Sequence, residues 1–106
     1  MAHFLIQGSS TAATWGAMMK NPHDQEKLVR PTVEAAGGRL EALYFAFGPR
    51  DFYAIVEMPD STSGAALGIA AAASGAFSSF ETVCLLTTGE ATNAMQVAAG
   101  MHYPRG

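Results

Sequence analysis

Apolar and polar positions alternate with a period of two in four stretches of this chain and recur at helical spacing in the segments between them. His3 to Gly8 is the first alternating run, with Phe4 and Ile6 on one side and His3, Leu5 and Gln7 on the other, which predicts a short strand. Gly8-Ser9-Ser10-Thr11 breaks it, and Thr11 to Lys20 predicts a short helix carrying Trp15, Met18 and Met19. Asn21-Pro22 predicts a stronger helix start: Asn caps free amides, Pro suits the first helical position, and Asp24 and Glu26 favour the positive end of the dipole. Leu28, Val29, Val33 and Ala36 then share one face. Pro31 predicts a kink, because it removes a backbone donor, and Gly37-Gly38 predicts a left-handed C-cap.

Arg39 to Phe47 and Asp51 to Met58 are aromatic-rich runs flanking Gly48-Pro49-Arg50, a hairpin signal. A two- or four-residue loop pairs Phe47 with Phe52, Phe45 with Ala54, Leu43 with Val56 and Glu41 with Met58. A three-residue loop would change that register. Asp60 caps a helix running to Ser74, closed by Gly75, in which Gly64, Gly68 and Ala72 recur every four residues as a flat stripe for close approach. Phe80 to Thr87 predicts a fourth strand. Thr87 and Glu90 form a capping-box pattern opening a last helix to about Ala99, and residues 100–106 read as a tail. The order is βαββαβ plus a C-terminal helix. It predicts one α+β domain over residues 1–106, of the ferredoxin-like split βαβ class, with both main helices on one face of a four-stranded antiparallel sheet.

Such a sheet leaves its other face bare. The bulky hairpin face (Leu43, Phe45, Phe47, Phe52, Val56, Met58) should meet the alanine-rich helix, because large and small side chains complement each other. The opposite face offers Leu40, Tyr44, Tyr53 and Ile55, with Leu5, Val83 and Leu85. A solvated antiparallel face usually turns polar; an apolar one marks an interface or a binding groove. Pairing of this face with a second copy would cover it, as would the terminal helix folding back within the monomer.

Composition sharpens this picture. At 106 residues the chain is of single-domain size, and 20 of its residues are alanine, so the strands must supply the bulk of the core. The net charge of −3, with no Lys/Arg run, argues against nucleic acid as a partner. The single cysteine suits a reducing compartment. His3, Gln7 and Gly8 interrupt any signal-like start, and no stretch approaches the roughly 20 apolar residues of a membrane span. A cytoplasmic protein without a membrane partner is the expectation.

Several segments together resemble the GYD family of small bacterial proteins. They are Asn21-Pro22-His23-Asp24, Gly37-Gly38-Arg39-Leu40-Glu41, the hairpin Tyr44 to Phe52, Ala73-Ser74-Gly75-Ala76 and Leu85-Leu86-Thr87. The resemblance covers roughly Phe4 to Ala99 and rests on combined order and spacing rather than on one chemical motif. It implies a dimeric α/β-barrel-type fold and leaves the biochemical activity open. Two positions depart from the family pattern. Its Gly-x-Tyr-Asp hairpin reads Gly48-Pro49-Arg50-Asp51 here, and Gln25 stands where a basic residue is expected.

The candidate chemistry is sparse. Asp51 and Gly48 suit either a carboxylate at a pocket mouth or plain turn chemistry. Tyr44, Tyr53 and Glu57 share the open face in this register, with His3 beside them. Phenol, carboxylate and imidazole there could bind or protonate a small polar or aromatic ligand; the alternative is tyrosines packing at an interface. His3, His23 and His102 lack metal-ligand spacing, and no cofactor fingerprint is present. Cys84 alternates with Thr82 and Leu86 in an apolar strand and reads as a buried thiol. Ser9-Ser10 reads as a helix cap. The leading expectation is a homo-oligomeric small-ligand-binding or accessory protein. A cofactor-independent enzyme of the monooxygenase or isomerase kind is the first alternative, and a purely structural subunit the second.

Overall fold

The computed structural model describes residues 1–105. Eight elements follow in order: β1 (Ala2–Ser10), α1 (Ala12–Lys20), α2 (Glu26–Ala35), β2 (Arg39–Phe45), β3 (Phe52–Met58), α3 (Ser61–Ala73), β4 (Phe77–Leu85) and α4 (Thr88–Ala99). The strands form one antiparallel sheet in the order β2-β3-β1-β4, which is the arrangement the split βαβ pattern predicts. Helix α3 packs on β4, β1 and β3, and α2 packs on β2. Between them lies a core of Phe4, Ile6, Val33, Leu40, Phe52, Ala54, Val56 and Met58.

Alternation sets the core on β1 and β3, where every second residue is buried. The edge strands are different. On β2 the register slips between Leu40 and Ala42, with Leu40 opposite Val56 and Leu43 opposite Ala54. The extra residue, Glu41, lets two leucines three positions apart face the same side, which strict alternation forbids. On the other edge a slip between Ser9 and Ser10 sets Gly8 opposite Phe80 and Ser10 opposite Phe77. The result is equivalent: Phe77 and Phe80, three apart, both pack against the core.

Three sequence expectations are corrected. Leu40 does not lie on the open face but in the core, only 3% exposed. The hairpin register is two residues off the expected one: Phe45 pairs with Phe52, and Phe47 stands wholly in solvent beyond the strand. Strand β4 starts at Phe77 and ends at Leu85, three and two residues earlier than the alternation suggested. Cys84, expected buried, is exposed. It lies opposite Phe4 on the edge strand β4, which has a neighbouring strand on one side only.

The helix ends follow local chemistry. Helix α2 begins at Glu26, not at Pro22; its N-cap is Gln25, whose side chain makes no capping bond, and the Asp24 carboxylate just before it accepts from Glu26 N at 3.0 Å, a local bond expected of Asn21. The helix continues through Pro31 as one element. It ends with Gly37 at φ +84°, Gly37 N donating to Glu34 O and Gly38 N to Val33 O, the paired bonds of a Schellman ending. Asp60 and Thr87 both form full capping boxes, with Ser63 and Glu90 respectively. The amide of Ser63 holds the Asp60 carboxyl below its ordinary range, and the amide of Thr87 does the same to Glu90. Gly64 and Gly68 are buried. A Cβ on Gly64 would stand 2.5 Å from the Phe4 ring, and one on Gly68 would stand 2.7 Å from Thr82 Oγ1. The expected close approach is therefore made by these two glycines, while Ala72 is exposed.

Helix α4 buries none of its residues. The radius of gyration is 16.6 Å, where a compact domain of this length has about 13 Å. The terminal helix therefore does not cover the sheet, whose open face carries Tyr44 at 70% exposure. No helix among the described residues is long and apolar enough to cross a membrane. Of the expected tail at residues 100–106, Gly100 caps α4 and 101–105 have no regular structure; Gly106 lies outside the described residues.

Candidate functional site

Two regions could carry chemistry, one on each face of the sheet. Register orders the open face into three rows. Arg39, Glu57, His3 and Leu85 lie across one end; Ala42, Ile55, Leu5 and Val83 form the middle; Tyr44, Tyr53, Gln7 and Glu81 form the other end. An apolar band is thus bounded by two polar rows. His3 and Glu57 are direct neighbours, and so are Tyr44 and Tyr53. The two pairs are four residues apart on β3, about 13 Å along the strand. The four residues expected to converge therefore form two separate groups.

At the first group, the bulge residue Glu41 joins in. His3 Nδ1 lies 3.4 Å from Glu41 Oε1, and donor atoms of His3, Glu41 and Glu57 fall within 4.8 Å of one another. One imidazole and two carboxylates form a donor set that suits a divalent first-row metal. Arg39 already occupies the place of a cation, with its guanidinium 3.0 Å from Glu57 Oε2 and 3.4 Å from Glu41 Oε1. The arrangement is an ion network in which Arg39 bridges the two carboxylates, and His3–Glu41 is its imidazole–carboxylate contact. At the opposite row Arg50 bonds Glu81, tying the hairpin loop across to β4. The arginine that replaces the family's tyrosine thus has a structural partner.

Asp51 faces neither group. Its carboxylate accepts from Ser10 N at 3.0 and 3.1 Å, from Ser10 Oγ at 3.1 Å and from Trp15 Nε1 at 3.0 Å. Its own amide donates to Gly8 O at 3.0 Å. This one side chain fastens the start of β3 to the β1–α1 junction, with partners about 40 residues away in sequence rather than within its own turn. Gly48 has no such reason: its φ is not positive and a Cβ there would meet open space.

The second region lies under the helices. Because α2 sits over β2 and α3 over β4 and β1, a gap opens between the two helices above Ile6, Ala54 and Val56. Helix α3 offers mainly Leu67, Ala70, Ala71 and Ser74 there, which is too little volume to fill it. The cavity measures about 360 Å³ and is open between the helices. Helix α2 turns Gln25, Leu28, Val29 and Thr32 toward it, residues spaced 0, 3, 4 and 7. A row of rings closes one end, Trp15–Phe45–Phe52–Phe77–Phe80, with successive centroids 5.1–5.9 Å apart. Gly8 makes that row continuous: a Cβ there would press on Phe77 and Phe80 at 3.1 and 3.3 Å. Sequence reading put any ligand on the open face and missed this cavity. The excess of alanine in α3, taken as close packing, was the available sign of missing volume.

No curated protein and no solved structure matches the chain. The profile of the GYD domain matches residues 4–95, from the first strand into the last helix, and the chain therefore belongs to the GYD domain family.

Proposed function

We propose that this chain is a homo-oligomeric small-ligand-binding or accessory protein whose ligand occupies the cavity between helices and sheet. The observation that carries this reading is the lining. Its volume of about 360 Å³ falls in the range of small-molecule sites, yet none of its residues is an acid, a base or a thiol. A site without a proton donor or nucleophile of its own suits binding better than turnover. The homo-oligomer is supported by two apolar surfaces: the band Leu5–Ile55–Val83 on the open face, in which Val83 is exposed and Leu5 and Ile55 are half-buried, and the exposed residues Met95 and Val97 of α4. A single unpaired cysteine is in keeping with work in the cytoplasm.

Native mass spectrometry of freshly purified protein, compared with the denatured chain, tests both parts. An assembly carrying an extra small mass is the expected result; a bare monomer would refute the proposal. The enzyme reading finds its support in the His3–Glu41 contact, which could move a proton. If it holds, His3→Ala and Glu41→Gln abolish a turnover that cavity-filling changes in α2 leave intact.

A further inference from the structure

We infer that the cavity selects a neutral, planar, two-ring aromatic molecule bearing one hydrogen-bonding group; this rests on the ligand-binding reading above. Three observations set the class. First, size: an apolar cavity of about 150 Å³ holds one benzene, so about 360 Å³ accommodates two fused rings and a substituent. Second, shape and surface: Phe45, Phe52, Phe77 and Phe80 line the cavity, and their edge and tilted stacking is the geometry in which aromatic rings attract one another. Leu28 and Phe45 at the opening are 56% and 41% exposed, apolar surface that a flat ligand would cover.

Third, polarity. A charged ligand would lose its hydration without meeting an opposite charge, because the lining has none. The hydroxyls of Ser10 and Thr14 are already engaged, with Asp51 and with Ala76 O. Gln25, at the N-cap of α2, and Thr32, two turns further on, line the cavity, and no side-chain hydrogen bond to either is present among the described residues. They are the free partners for a ligand hydroxyl or carbonyl, and burying such a group against them avoids the cost of leaving it unpaired.

The test is isothermal titration calorimetry of the full chain with four probes: naphthalene, 2-naphthol, 2-naphthoate and 2-naphthylmethylammonium. The neutral pair should bind, with 2-naphthol the tighter, and the charged pair should bind about tenfold more weakly or worse. Gln25→Leu should remove the advantage of 2-naphthol over naphthalene. Ala71→Leu, which fills the cavity from α3, should weaken all binding; Thr32→Phe does the same from the solvent-accessible rim on α2 and guards against a misfolded core variant. Charged probes binding as well as neutral ones would overturn the ligand class and leave the cavity as a binding site. Binding of none of the four would overturn both proposals, and neutral binding indifferent to Ala71→Leu and Thr32→Phe would place it elsewhere and refute the assignment.

Discussion

Replacing Asp51 by alanine separates a structural from a ligand-binding role for the most motif-like residue of the chain. The change removes the acceptor for Ser10 N, Ser10 Oγ and Trp15 Nε1. A hydrogen bond to a charged group contributes about 1.5–3 kcal/mol. These donors are only partly buried and two belong to one residue, so each counts at or below the lower end, giving about 3 kcal/mol for the set. Domains of this size are stable by about 5–15 kcal/mol, and 1 kcal/mol moves the melting midpoint by about 4–8 °C. Asp51→Ala should therefore lower the midpoint by at least about 12 °C. Asp51→Asn, which keeps one acceptor oxygen, should fall between it and the parent. Urea unfolding followed by fluorescence reads this directly, because Trp15 is the only tryptophan and is itself one of the donors. A cycle with Trp15→Phe should show coupling between the two sites of about 1 kcal/mol. If Asp51→Ala left the urea midpoint unchanged and abolished ligand binding, the clamp argument would be wrong and Asp51 would belong to a binding site.

Gly64→Ala drives a Cβ to 2.5 Å from the Phe4 ring and should cost about 1–3 kcal/mol by overpacking, read as a lower urea midpoint with unchanged slope. Asp60 and Glu90 have folded values lowered by the Ser63 and Thr87 amides; their contribution is present above the ordinary carboxylate range and disappears as pH falls through the lowered values. Asp60→Ala should thus flatten the acid limb of a stability–pH curve and leave neutral-pH dependence unchanged; a parallel limb would contradict the cap. If the proposed homo-oligomer pairs through the open face, Ile55→Lys in its apolar band should give monomer by light scattering without loss of helicity, and a retained oligomer would move the interface off that face.

Most of the architecture was legible in the sequence because the two central strands obey strict alternation and helices α3 and α4 open on unambiguous caps. The capping pairs Asp60–Ser63 and Thr87–Glu90 act over three residues, and such local chemistry needs no knowledge of the fold. The edge strands were harder. Leu40 and Leu43 both point inward only because Glu41 bulges, and no pattern in the residues themselves announces a bulge. A second slip, between Ser9 and Ser10 on the opposite edge, hid Phe77 and moved the start of β4. The candidate site was legible in part: His3 and Glu57 do meet, but Glu41 and Arg39 complete their group through that bulge. The cavity was beyond reach for a different reason. It is set by the distance between α2 and α3, a property of packing that periodicity along one helix does not contain.

The detachment of α4 has a consequence for how the chain opens and closes. A helix of 12 residues is marginal alone in water, and its capping box is the main local interaction holding it. Its amides should therefore exchange with deuterium at near the rate of an open chain. Those of β1, bonded on both sides to β3 and β4, should exchange only through global unfolding. The same protein then contains two units with opening free energies far apart. Slowed exchange confined to α4 as concentration rises would report the moment at which another copy gives that helix a surface to fold against.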